Sequence, residues 1–303
     1  MRFDVTVLGC GAATPTLRFQ PTSQVLNVAE NWFLIDAGEG VQRSLREQRV
    51  PFHKIKRIFI SHMHGDHVLG LPGLIGSLNL LGRTEELHLH GPVGLEAFVM
   101  SSLKTTETHL KFHLEFVRND PNELFSCWET GPLTIFSFPV KHRVEAYGYR
   151  VSLVPNQLNL KKDAVAEHQL SRSEMVRLKR GDSIERKDGT LLQSSEVCFP
   201  MQLSKHYVFS GDTAPCQQLI DSASGADLLY HEATFLQVLS KRAKVTGHST
   251  AAEAGQSALS AGVKRLLIGH FSSRYRTLTP LLLEAQSVFP LAELAVEGYC
   301  YKL

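Results

Sequence analysis

His62-Met63-His64-Gly65-Asp66-His67 packs three imidazoles and a carboxylate into six residues, directly after the apolar run Arg57-Ile58-Phe59-Ile60. Neutral imidazole nitrogen and carboxylate oxygen are the donors that borderline divalent metals such as zinc prefer. On an extended backbone, side chains at i and i+2 point the same way, so His62 and His64 can grip one ion. Gly65 lets the chain turn, so that Asp66 and His67 can address a second. A His-rich surface loop is the bland alternative, but histidine is otherwise spread thinly along this chain.

Two divalent ions about 3.5–4 Å apart need roughly six to eight ligands. His62, His64 and His142 suit one ion, and Asp66, His67 and His270 the other. Asp212 can bridge them, because a carboxylate has two oxygens to share. Taken singly, His142 and His270 read as structural histidines; joined to the cluster at 62–67, they read as ligands. Asp36, ahead of Ala37-Gly38-Glu39-Gly40, is placed to support the ligand loops by hydrogen bonds. Two such ions acidify a shared water to a pKa of about 7 and neutralise charge building on a reacting oxygen. That suits hydrolysis of a phosphodiester, a lactam or a thioester, and the ions alone do not choose among them.

The leaving group narrows the choice. His248 stands just ahead of Thr250, a helix-cap residue, where an anion is welcome. Glu232 can hold an imidazole in the tautomer an acid–base pair requires, so a protonated His248 can serve an alkoxide leaving group. Ser272-Ser273-Arg274, right after His270, offers hydroxyls and a guanidinium fork for phosphate oxygens. His88, His90, His109, His113, His168 and His206 fit no ligand geometry and read as structural.

These residues need elements to position them, and one local pattern recurs. Trp32-Phe33-Leu34-Ile35 ends in Asp36, Ile58-Phe59-Ile60 leads to His62, and Thr134–Val140 ends in His142. Likewise His206–Phe209 leads to Asp212, Asp227–Tyr230 to His231-Glu232, and Leu266–Ile268 to His270. Apolar runs of this length read as strands buried on both faces. Strand ends that each deliver a ligand or acid–base group imply one rim of a layered sheet structure. Helical signals fall between: Pro72 opens a segment through Leu81, Thr250-Ala251-Ala252-Glu253 is a capping-box pattern before a stretch ending near Gly262, and Thr279-Pro280 opens another to Val288. The alternation suits two similar halves packed sheet to sheet.

The 303 residues are 43% hydrophobic and 20% charged, enough chain to bury a core without help from metals. The N-terminus opens into a strand-like alternation and lacks the apolar region of a secretory signal. No run of about 18 apolar residues would span a membrane. The five cysteines (Cys10, Cys127, Cys198, Cys216, Cys300) are scattered and odd in number, as expected of reduced thiols in the cytosol. A net charge of +2 neither demands nor excludes a polyanionic partner. Residues 155–200 are more polar, with Lys161-Lys162, Arg172, Arg177, Lys179-Arg180 and Arg186-Lys187 largely balanced by acidic neighbours, and Asp188-Gly189 signals a hairpin. Both an arm that touches an anionic partner and a solvated surface excursion fit that composition.

His62-x-His64-x-Asp66-His67, with His142, Asp212 and His270 downstream, resembles the metallo-β-lactamase superfamily. Several further segments resemble its ribonuclease Z family, which trims the 3′ end of precursor tRNA. They are Leu8-Gly9-Cys10-Gly11 with Pro15, Gly82-Arg83-Thr84 ahead of His90-Gly91-Pro92, His231-Glu232-Ala233-Thr234, Gly247-His248-Ser249-Thr250, and Gly269-His270 through Tyr275. The resemblance spans nearly the whole chain. It implies one α/β (α+β) domain over 1–303, a four-layer αβ/βα sandwich with an inserted arm at 155–200. It also implies two zinc ions (Zn2+) per subunit, a homodimer, and cleavage just after the discriminator nucleotide that leaves a 3′-hydroxyl on the tRNA and a 5′-phosphate on the trailer. Metal roles fall to His62, His64, Asp66, His67, His142, Asp212 and His270. Asp66 also inherits the orienting of the attacking water, and Glu232 with His248 the proton donation. The arm of this family grips the tRNA elbow. Here the Gly-Pro motif expected in it is missing and Gln169–Glu174 occupies the area, while Lys179-Arg180-Gly181 and Asp188-Gly189 still resemble its second half. The competing reading is a hydrolase of the same superfamily acting on a small phosphodiester, thioester or lactam.

Overall fold

The computed structural model describes residues 1–186 and 188–303; Lys187, one of the charges noted in the polar stretch, lies outside the described residues. The strands are β1 (Phe3–Gly9), β2 (Ser23–Val28), β3 (Asn31–Ile35), β4 (Ile55–Phe59), β5 (Leu87–Gly91), β6 (Leu114–Arg118), β7 (Phe125–Thr130), β8 (Leu133–Pro139), β9 (Tyr147–Leu153), β10 (Ile184–Glu185), β11 (Leu191–Leu192), β12 (Lys205–Phe209), β13 (Leu228–Glu232), β14 (Leu266–Gly269), β15 (Ala292–Leu294) and β16 (Cys300–Lys302). The helices used below are α1 (Val41–Glu47), α2 (Gly65–Val68), α3 (Leu71–Leu80), α4 (Leu95–Thr105), α5 (Lys162–Glu167), α6 (Arg172–Lys179), α7 (Ser194–Val197), α8 (Gln217–Ala223), α9 (Ser240–Thr246), α10 (Ala251–Ala261) and α11 (Thr279–Val288).

Two seven-stranded sheets carry the fold, in the orders β16-β1-β2-β3-β4-β5-β6 and β15-β14-β13-β12-β9-β8-β7. Each joins an antiparallel part to a parallel one, β3 to β6 in the first and β12 to β15 in the second. The two halves expected from the alternation of elements are therefore built alike. Their inner faces meet through aromatic rings. Phe33 lies 5.4 Å from Trp128 and Phe59 5.3 Å from Tyr149, and the Tyr149 hydroxyl donates to the Ile60 carbonyl at 2.7 Å.

Helices cover the outer faces. Val41 and Leu45 of α1, Leu71, Leu74, Ile75 and Leu78 of α3, and Leu95, Val99 and Leu103 of α4 form one cluster with the first sheet. Leu219 of α8, Ala251, Ala254 and Ala258 of α10, and Leu281 and Ala285 of α11 pack on the second. The order is helix, sheet, sheet, helix. Strands buried on both faces need continuous apolar sequence, which is why their runs read as they do. The helix signals hold too: α3 has proline in its first turn, and Thr250 caps α10 in a full capping box that ends at Gly262 with φ +61°.

Between β9 and β12, α5, α6, the β10–β11 hairpin and α7 gather around their own small cluster, Ala164, Leu170, Leu178, Ile184, Leu192, Val197 and Cys198. The hairpin signalled by Asp188-Gly189 is present, with Ile184 opposite Leu192. Arg172, Arg177 and Arg180 are exposed on it. The cysteines are free. No helix of the described residues is long and apolar enough to cross a membrane.

Candidate active site and metal centre

The parallel strands of both sheets end at one rim. Asp36 follows β3, His62 follows β4, Asp212 follows β12, Glu232 closes β13 and His270 follows β14. Two of these turns are tight enough to force φ to +55° at Asp36 and +58° at His270, conformations that non-glycine residues rarely adopt. The motif at 62–67 leaves the strand, and α2 begins at Gly65, presenting Asp66 and His67 one turn on.

Every proposed ligand arrives. His62, His64, His142 and Asp212 form one group whose donor atoms all lie within 4.8 Å of one another; Asp66, His67 and His270 form a second. Asp212 sits between them, its Oδ2 3.7 Å from His62 Nε2, 3.5 Å from His67 Nε2 and 3.2 Å from His270 Nε2. Its carboxylate therefore lies against imidazoles of both groups.

The hydrogen bonds behind these groups decide which imidazole nitrogens are free. His67 Nδ1–H donates to Asp36 Oδ2 at 2.7 Å. The Ser61 hydroxyl donates to the same carboxylate at 2.8 Å, so at 3.0 Å it accepts from His62 Nδ1–H. His142 Nδ1–H donates to the Gly247 carbonyl at 2.7 Å. The Thr234 hydroxyl donates to Glu232 Oε2 at 2.8 Å and therefore accepts from His270 Nδ1–H at 2.9 Å. In each ring Nδ1–H is engaged outside the cluster and Nε2 faces into it, the orientation in which a neutral imidazole binds a metal. His64 enters the other way round, its Nδ1 3.0 Å from His62 Nε2 and 3.2 Å from His142 Nε2.

These residues fit divalent cations. His67 Nε2 and Asp212 Oδ1 are buried without any hydrogen-bond partner, a costly state unless a cation faces them. Burial pushes His62, His64 and His142 below the usual imidazole range, towards the neutral ligand form. Burial alone would raise Asp212 and Asp66, but neighbouring imidazoles (His270 and His67 for Asp212, His67 and His270 for Asp66) outweigh it and hold both low. Burial works against a proton on His67, yet Asp212, Asp36 and Asp66 together raise it strongly. The potential at that point calls for positive charge.

Beside the cluster stands an acid–base pair. Glu232 is fully buried, and its Oε1 accepts from Ser249 N–H at 3.0 Å, Thr213 N–H at 3.2 Å and His248 Nδ1–H at 2.9 Å. Its Oε2 takes Thr234 N–H at 3.0 Å as well as the Thr234 hydroxyl. Burial disfavours a charged His248, but Glu232 and then Asp212 overcome that and raise its pKa to about 9. Its Nε2 remains for the cleft. His231 does not join: it is buried, with Nδ1 bonded to the Glu232 carbonyl.

A cleft of about 470 Å³ opens over these groups, lined by His64, Asp66, Asp212, His248, His270, Ser272 and Arg274, with Arg143 and Arg242 also on its walls. Larger concavities, of about 720 and 1070 Å³, lie by Trp32 and Trp128 and beside α4 and β6, far from this chemistry. Arg274 lies over the Phe235 ring at 4.7 Å and donates from Nε to Ser272 Oγ at 2.8 Å. Lys179 and Arg180 stand at the end of α6 and do not line the cleft. Sequence reasoning passed over Ser61, Thr234, Arg143, Arg242 and the Gly247 carbonyl. Of these only Thr234 and Gly247 had a signal, as members of the His-Glu-Ala-Thr and Gly-His-Ser-Thr boxes.

The chain is similar to known proteins along its whole length. Residues 3–253 match the family described as Anti-Pycsar protein Apyc1. Ribonuclease Z of Bacteroides fragilis is 39% identical over 302 residues, covering 100% of this chain and 99% of that protein. The crystal structure of human tRNase Z, short form (ELAC1), superposes with a TM-score of 0.71 at 25% identity, covering 98% of each chain. The metallo-β-lactamase-fold protein YhfI from Bacillus subtilis, at 21% identity and a TM-score of 0.70 with full coverage of both chains, shares the fold. The chain belongs to both matched families, the one described as Anti-Pycsar protein Apyc1 over residues 3–253 and, along its whole length, ribonuclease Z.

Proposed function

We propose that this chain is a metal-dependent endoribonuclease that removes the 3′ trailer from precursor tRNA by phosphodiester hydrolysis. The observation that carries the reading is His248, bonded to Glu232 at 2.9 Å beside the double ligand cluster. A ribose 3′-oxygen needs a proton as it leaves, whereas a thiolate leaves without one. We further read the cations as two zinc ions: His62, His64 and His142 would hold one, Asp66, His67 and His270 the other, and Asp212 would serve both.

Bound there, such ions acidify water and offset the negative charge that grows on phosphate oxygens. Asp66 accepts the Ala13 N–H at 2.7 Å through the same Oδ2 that lies 3.3 Å from His270 Nε2. Held ionised, it orients the attacking water and takes its proton. Protonated His248 gives its Nε2 proton to the departing 3′-oxygen, and Glu232 stabilises the cation until then. Ser272 and Arg274 receive phosphate oxygens. The products are tRNA with a 3′-hydroxyl and a trailer with a 5′-phosphate. Residues 155–200 act as an arm for tRNA, with Lys179 and Arg180 as contacts, in a single-domain subunit that pairs as a homodimer in the cytoplasm.

The test is incubation with labelled tRNA carrying a 3′ trailer, beside bis-p-nitrophenyl phosphate. Cleavage of the tRNA at one position supports the reading. Turnover of the small ester alone would replace it with a small-substrate hydrolase.

A further inference from the structure

The cleft carries positive charge that neither the ligand clusters nor the His248–Glu232 pair uses. Some arginines of the chain are closed on carboxylates, among them Arg43 on Glu47 at 2.7 Å, Arg265 on Glu293 at 2.9 Å and Arg186 on Glu174 at 3.2 Å. Arg143 and Arg242 are exposed on the cleft walls, and among the described residues neither meets a carboxylate within 4 Å. Arginines left unpaired beside a hydrolytic centre leave their guanidinium forks free for phosphate.

Their placement is built. Arg143 directly follows the ligand His142, and its stem packs on Gly247, whose φ of +72° strains any other residue and where a Cβ would come within 3.3 Å of the Arg143 stem. The Gly247 carbonyl in turn holds His142. Arg242 sits on α9, where the Ala243 carbonyl accepts His248 N–H at 2.9 Å and the Arg242 carbonyl accepts the Thr246 hydroxyl at 2.9 Å. The same helix exposes Lys241 and Lys244 and contains no acidic residue. Both arginines thus stand on the segments that fix a metal ligand and the proton donor.

We propose that Arg143 and Arg242 bind the backbone phosphates next to the scissile one, so that they select a polynucleotide strand over an isolated diester. The inference rests on the ribonuclease reading and adds two substrate-binding residues to it. The scissile phosphate lies over the ligands, and its chain neighbours pass along the walls where these cations stand. Single-stranded RNA gives up condensed counterions at each phosphate so neutralised.

The experiment measures trailer removal from precursor tRNA by the metal-loaded enzyme over a range of potassium chloride concentrations. Wild type is compared with Arg143→Met, Arg242→Met, both together, and Arg143→Lys and Arg242→Lys. Methionine keeps the stem that covers Gly247 and removes only the fork. Expected is a KM raised about five- to fiftyfold per arginine with kcat within about threefold, and a salt slope lower by about 0.7 for each guanidinium removed. The lysine variants should recover the slope. Metal content checks that the ligands are undisturbed. A kcat loss at unchanged KM and slope, or wild-type behaviour of the double variant, would overturn the proposal. Failure of wild type to cut the tRNA would instead remove the ribonuclease reading on which it rests.

Discussion

Glu232→Gln tests the acid–base pair most sharply, because the geometry dictates how the substitution must fail. The Oε1 side faces three donors, Thr213 N–H, Ser249 N–H and His248 Nδ1–H, so the glutamine oxygen must stay there. The new NH2 then meets Thr234 N–H, two donors facing each other in a fully buried place, at a cost of about 1–3 kcal/mol. The Thr234 hydroxyl has to reverse and accept, which turns its own proton towards His270 Nδ1. That would favour the His270 tautomer with a blocked Nε2, so the assay needs saturating metal. The larger effect falls on His248. Its pKa of about 9 depends on the Glu232 charge, since burial works against the cation. Without that charge it returns at least to the free-histidine value of about 6.5. At pH 8 the protonated fraction then drops about thirtyfold, and at pH 6 hardly at all. A proton donor is lost as pH rises through its pKa, so the basic limb of the profile should move to lower pH by about two units or more. Bound cations lower both starting values together and leave the difference. Single-turnover cleavage of trailer-bearing tRNA from pH 6 to 9.5 reads it directly. A Glu232→Gln enzyme with the wild-type rate and the wild-type basic limb would refute the pair.

Other outcomes follow from the same geometry. His64→Ala and Asp212→Ala should each abolish cleavage and deplete metal, read by elemental analysis after dialysis; a variant that keeps its full metal content would remove that residue from the ligand set. Excising 160–198 and closing the stem at Asn159 and Phe199, whose backbones already bond at 2.7 Å, should weaken tRNA processing and spare hydrolysis of bis-p-nitrophenyl phosphate. Equal loss of both would make the segment structural. His90 is buried against Phe59 at 4.7 Å with neither ring nitrogen partnered, and burial lowers its pKa to about 3. The unfolded chain therefore takes up a proton below pH 6.5 that the folded chain refuses, and stability falls with pH from there. In chelator, His90→Phe should remove about 2 kcal/mol of the loss between pH 7 and pH 5, measured by urea unfolding. Parallel pH dependence in the two proteins would contradict this.

What the sequence disclosed follows from which chemistry is local. Ligand-type residues just past apolar runs could be read because a strand end is where a sheet hands its side chains to a rim; Asp36, His62, Asp212, Glu232 and His270 all sit there. Thr250 with Glu253 and the prolines near α3 and α11 act within one turn of helix, so those helices were legible as well. The hydroxyl of Ser61 was not, since a single hydroxyl is among the commonest side chains and its bond to Asp36 spans 25 residues; Thr234 was legible as a member of its box, but not its bond to His270. Gly247 was legible only as the first residue of its Gly-His-Ser-Thr box, and only the fold brings its carbonyl to His142 across 105 residues. Residues 155–200 showed their charge and their hairpin, whereas their small apolar cluster is too sparse to give a periodic signal.

The central claim is a paired-cation centre that hydrolyses one phosphodiester next to His248. Mapping the cut on trailer-bearing tRNA to single-nucleotide resolution, with metal content determined on the same sample, tests it most directly. Expected are about two zinc ions per chain and a single cut after the discriminator nucleotide, leaving a 3′-hydroxyl. Active protein with no bound metal, or scattered cuts along the trailer, would contradict it.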